Sequence, residues 1–239
     1  ISSLFVTLIM FFMISYWRYG LMLESDLDTL GTRLNAGDFL RENINPASGL
    51  IIQNGIPDAN PLNPDPNVSP SHYWIPIHAV PGTVSVGASG TTTPLIYFKR
   101  PTITTSGVVA LNGTLPHEDE FVLYLDGTTK KLMSRTIANP NVANNKLKTS
   151  CPASLASASC PPDKEVASDI ASVETRYFSK TGNLIDHHSA TDPITGVYIG
   201  PDYPIVEVVE LKLNLTKKPR FQKANATVNS TVIRIAIRS

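Results

Sequence analysis

The sequence predicts an α+β protein: a long amino-terminal α-helix, hydrophobic and then amphipathic, followed by an antiparallel β-rich globular head. Three observations predict it. Residues Ile1 to Trp17 carry no charge, and Ile1 to Leu23 carry only Arg18. Leu23, Leu27, Leu30 and Leu34 then step by four, three and four, the spacing of a single helical stripe. From Ser48 onward this period gives way to short apolar runs separated by Gly, Pro, Asn and Asp.

The first segment is apolar around its whole circumference, which lipid or a helix bundle tolerates and water does not. Tyr16, Trp17 and Tyr19 resemble the aromatic belt that ends a membrane segment, and neither a basic amino end nor a small-residue cleavage site is visible. An uncleaved hydrophobic helix is therefore expected, in a chain whose first residue, Ile rather than Met, marks it as processed or truncated. Gly37, Leu40 and Ile44 extend the apolar side until Asn45-Pro46, because Pro disfavours helix in the residue before it. The expected domains are a helix over 1–46, some 65 Å long at roughly 1.5 Å per residue, and a head over 47–239.

Within the head, Gly49–Gln53, Tyr73–Val80, Pro94–Lys99 and Gly107–Leu111 are candidate strands, and the five prolines between Pro57 and Pro70 mark a loop. Phe121–Leu125, Asp126-Gly127 and Thr128–Thr136 form the clearest hairpin, since Asp-Gly accepts the positive backbone angles of a tight turn. The stretch from Asn139 to Lys164 has no period and reads as an ordered loop. Strands resume at Val173–Phe178, Ile205–Leu213 and Ser230–Ile237, the last two alternating well enough to pair with one wet face.

Composition limits the function. The 239 residues hold 20 basic and 20 acidic side chains, so no net field recruits nucleic acid or anionic lipid. Only 17% are charged, against about 25% in an average domain, while 59 are Ser, Thr or Asn, a surface suited to an exported protein. Cys151 and Cys160 lie nine positions apart with no His or Asp between them, which argues against zinc and for a disulfide in an oxidising compartment, with two free thiols as the alternative. Of five histidines only Asp186-His187-His188 with Asp192 clusters, and it reads as a polar loop rather than a metal site. No metal, cofactor or catalytic set is expected. Five Asn-X-Ser/Thr triplets, at Asn67, Asn112, Asn214, Asn225 and Asn229, match the glycosylation pattern as chance allows in a chain this rich in those residues. Lys217 to Lys223 is a small basic turn, read as a solvated hairpin tip, with contact to DNA or an acidic partner as its alternative.

A lipid-compatible helix that becomes amphipathic and ends in a β-rich head resembles the type IV pilins and the pseudopilins of type II secretion. Phe121-Val-Leu-Tyr-Leu-Asp-Gly127 with Lys131-Leu-Met-Ser-Arg135 is similar to a hairpin of their minor-pilin and minor-pseudopilin branch, Tyr177-Phe-Ser-Lys-Thr-Gly182 to a following strand, and Val232–Arg238 to its terminal strand. The family's amino-terminal Phe, its nearby Glu and its processing Gly are not among these residues, as expected if roughly ten residues precede Ile1, so no residue of this sequence is assigned that Glu's role. Its helix-breaking Pro is absent too, which leaves Gly20 as the nearest point for local melting. The resemblance implies a non-enzymatic structural subunit, held in the inner membrane before assembly. It then packs with copies of itself and other pilins into an extracellular filament through Leu4, Phe5, Leu8, Ile9, Phe12, Ile14, Leu23, Leu27, Leu30 and Leu34. A minor pseudopilin at the tip of a type II secretion system and a single-pass surface binding protein are the alternatives.

Overall fold

A computed structural model describes residues 2–44, 46–50, 56–62, 73–74, 82–85, 92–179, 181–184, 206–217 and 227–237. One long amino-terminal helix, α1 (Ser2–Ile44), is followed by antiparallel sheets, the α+β architecture expected from the sequence. The helix runs through Gly20 without interruption. Past its end Ala47 N donates to Ile44 O at 2.9 Å, closing a turn around Pro46.

The strands of the head are β1 (Gly49–Leu50), β2 (Ile56–Pro57), β3 (Tyr73–Trp74), β4 (Gly82–Ser85), β5 (Thr92–Pro101), β6 (Leu111–Asn112), β7 (Leu115–Pro116), β8 (Glu118–Asp126), β9 (Lys131–Ile137), β10 (Lys164–Ala167), β11 (Ile170–Ser179), β12 (Val206–Lys217) and β13 (Thr227–Ala236). They form a five-stranded sheet in the order β1-β5-β8-β9-β10 and a four-stranded sheet in the order β13-β12-β11-β4, with two small pairs, β2-β3 and β6-β7. The pairing expected between the last two strands is present, with Leu211 opposite Ile233 and Leu213 opposite Thr231.

The main core lies where both sheets meet the end of the helix. Ala36, Leu40 and Ile44 pack with Phe98, Phe121, Leu123 and Leu132 of one sheet and Val173, Val209, Leu211 and Ile235 of the other. On β12, Val209, Leu211, Leu213 and Leu215 point inward, while Glu210, Lys212 and Asn214 take the other face. There Glu174 pairs with Arg176 and Lys212, and Glu210 with Arg234. On β8 the five residues Phe121–Leu125 are all buried. Both faces of that strand are covered, Val122 and Tyr124 packing on the second with Ile56, Trp74 and Tyr97.

Three expectations need correction. Residues 107–111 do not form a strand: the chain turns at Gly107 (φ 82), makes one bridge from Val109 to Ile103, and enters the two-residue pairs of β6 and β7 around Gly113 (φ 66). Val108, Val109 and Leu111 are exposed, so no sheet face covers the apolar run that suggested a strand. The β8–β9 hairpin exists, but its positive φ falls on Lys130 (φ 57) and not on Gly127. Asp126 accepts bonds from Thr128 N and from Thr129 N and Oγ1, which widens the turn to four residues and starts β9 at Lys131. Finally, Leu40 and Ile44 do not continue the leucine stripe: they are buried, whereas Leu23 to Leu34 lie exposed on a different side of α1.

Candidate assembly surface

Side chains Phe5 to Gly20 of α1 are exposed on every side, and the helix is long and apolar enough to cross a membrane. Phe5, Leu8, Ile9, Phe12 and Ile14 all belong to this projecting half. Leu4 is helical, and its side chain lies outside the described residues. The helix meets the head only further on, where Ser25, Thr29, Thr32 and Arg33 are half-buried and Ala36, Leu40 and Ile44 have no exposed surface.

Leu23, Leu27, Leu30 and Leu34 remain 49–58% exposed. At 100° per residue their stripe lies roughly a third of a turn from the line Ala36, Leu40, Ile44. The side turned to the head is mostly polar over this stretch: Ser25, Asp28, Thr29 and Thr32, with Leu21 and the still exposed Leu27 beside them, line a cleft of about 530 Å³ with Ser168, Asp169, Leu215 and Thr216. The amphipathic half of α1 thus keeps its apolar stripe uncovered and gives the head its Ser/Thr side.

The carboxyl end of α1 is clamped. Arg100 donates from Nη1 to Asn43 Oδ1 at 2.8 Å and stacks over Phe121, and Lys164 sits over the Phe39 ring. Ser48 donates from N to Lys99 O at 2.8 Å and from Oγ to Glu118 Oε1 at 2.5 Å, and Lys99 Nζ lies 2.7 Å from Glu118 Oε2. Burial alone would raise the Glu118 pKa, but these bonds from Lys99 and Ser48 outweigh it and hold the carboxyl below its ordinary range. The helix is therefore held rigidly at one end, with its apolar half projecting.

Under the far face of the five-stranded sheet lies a charge centre that the sequence pattern does not announce. Arg135 has no exposed surface. Its Nη1 donates to Asp58 Oδ2 (3.0 Å), Asn60 O (3.2 Å) and Ser150 O (3.0 Å), and its Nε lies 2.7 Å from Asp163 Oδ1 in an ion-pair contact. Trp74 Nε1 donates to Asp58 Oδ2, Tyr124 Oη to Asp163 Oδ2 and Ser150 Oγ to Asp163 Oδ1. Burial, then the bond to Asp163, raises the Tyr124 pKa well above that of free tyrosine, so the phenol stays a donor. This network ties β9 to the loop that carries the disulfide Cys151–Cys160, which is formed, with its Cα atoms 5.6 Å apart. Arg135 stands between Ser134 and Thr136 in β9 and so reads as part of a polar stretch; its partners are 77 and 28 residues away and share no pattern with it.

Among the described residues no group of three or more His, Cys, Asp and Glu could hold a metal. The cluster Asp186, His187, His188 and Asp192 and the basic turn beyond Lys217 to Lys223 lie outside the described residues. No family model matches the chain, and no curated protein matches it in sequence.

Proposed function

We propose that this chain is a structural subunit of a type IV pilus-like extracellular filament, held in a membrane by α1 before assembly and packed through α1 against its own copies and other pilins afterwards. One observation carries the reading: α1 exposes apolar side chains all round its first half and a leucine stripe along its second, and the head covers neither. Burying one such side chain stabilises by roughly 1.5–3 kcal/mol. Lipid can cover the first half of the helix; the stripe at Leu23 to Leu34, set among Glu24, Asp26 and Asp28, suits a protein neighbour better. The reading assigns no catalytic step, and Leu4, Phe5, Leu8, Ile9, Phe12 and Ile14 are its packing residues in the filament core.

A charge in that core tests it. Ile9→Asp should abolish surface filaments in the cells that make the protein while the head still folds and its disulfide still forms. Filaments of undiminished number and composition in the variant would contradict the proposal.

A further inference from the structure

The pole of the head beside the carboxyl end of α1 is built from residues 102–117 and 139–148. The first segment hangs from the paired ends of β5 and β8, with Pro101 opposite Glu118, next to the Arg100–Asn43 bond. Thr105 N donates to Asn144 O and Lys146 N to Ile103 O, which sews the two segments into one tip. Val108, Val109, Leu111 and Leu115 stand on this tip 43–70% exposed. Residues 102–116 contain no charged side chain, and the charges of 139–150 are Lys146 and Lys148 alone. The tip is an apolar cap with a basic rim.

The leucine stripe of α1 has the opposite rim. Between residues 21 and 38, Asp26 and Asp38 flank the stripe and Glu24 lies further round, against the single half-buried Arg33, while Asp28 is turned to the head. The stripe runs from roughly 30 Å to roughly 14 Å before Asn43 at about 1.5 Å per residue, all four of its leucines are about half exposed, and the buried line Ala36, Leu40 and Ile44 fixes α1 to the head. The stripe and the tip of one chain therefore cannot meet.

We infer that the tip of one copy seats on the leucine stripe of the next, with Lys146 and Lys148 against the acidic rim. This rests on the filament reading above and adds which surfaces meet. A tip-to-tip pair would bring basic rim onto basic rim, and a stripe-to-stripe pair acid onto acid. Joining unlike surfaces covers both apolar areas, matches their charges, and leaves each copy with one surface free for another, so the contact repeats without closing.

Cross-linking in the cells that make the protein tests this. Cys151 and Cys160 are already paired, so introduced cysteines report alone. The double variant Leu27→Cys/Leu111→Cys, treated with a short bismaleimide, should give a ladder of oligomers. Each single variant should stay monomeric, and co-expressed single variants should give dimers. Reversing the rim with Lys146→Glu and Lys148→Glu should lower the yield about fivefold, as two weak surface pairs would, and adding Asp26→Lys and Asp38→Lys should restore it. If a variant does not accumulate, Leu30→Cys with Val108→Cys takes its place. Leu8→Cys/Phe12→Cys reports helix packing separately. If that pair cross-links between copies and the tip–stripe pair does not, the inference is overturned and the filament reading stands. If Leu111→Cys alone dimerises, a tip-to-tip contact replaces it. If neither pair cross-links, the filament reading falls and the inference falls with it.

Discussion

A guanidinium without water around it must find its counter-charges inside the protein, and Arg135 finds them in Asp58 and Asp163. Replacing Arg135 by Met would leave two buried carboxylates facing each other's charge and should cost about 3–5 kcal/mol in denaturant unfolding of the full chain in detergent. A loss under about 1 kcal/mol would show that the centre is not structural. The disulfide acts on the same loop from its other side. Closing a loop of about ten residues is worth roughly 2–3 kcal/mol, so Cys151→Ser with Cys160→Ser should lower stability by that amount and raise the protease sensitivity of residues 150–163. Glu118 supplies a pH dependence of defined sign. Its folded pKa is depressed, so its contribution is present above the ordinary value of 4.5 and is lost as pH falls through the lower folded value. Glu174, held down by Arg176 and Lys212 against its own burial, has the same sign. Melting temperature followed below pH 4.5 should fall less steeply in Glu118→Gln than in the native chain.

At the scale of elements, the face of α1 and not its existence separates sequence from structure. Apolar periodicity and Asn45-Pro46 were enough to define the helix, because both are local. Which side the head would cover was not legible: Leu23 to Leu34 and Ala36 to Ile44 both look like core stripes, and only tertiary contacts distinguish them. The distinction is measurable. Leu40→Ala should cost about 2–5 kcal/mol, whereas Leu30→Ala should change head stability by less than about 0.5 kcal/mol and weaken assembly instead. Equal destabilisation by the two would mean that the head covers the stripe. The strands show the same limit. β12 and β13 were readable from alternation, since each has one wet face. The run Gly107–Leu111 was misread because an exposed apolar run between two positive-φ glycines, Gly107 and Gly113, has the composition of a buried strand.

For the whole molecule, a projecting apolar helix clamped at one end to a β-rich head is a shape that its own head does not complete. A membrane can cover the first half of the helix; in the proposed filament, protein neighbours cover all of it after assembly. The disulfide and the Arg135 centre tie β9 to the loop at 150–163, and the Asn43–Arg100 bond ties the end of α1 to the head. The most direct test is to shear the surface of the cells that make the protein and assay the filaments released, using an antibody to the head. A filament subunit should appear there as the full-length chain, with α1 intact, within long filaments in the sheared fraction. Recovery of all of the protein with the membrane, and none in the sheared material, would contradict the filament reading and leave a single-pass membrane-anchored protein.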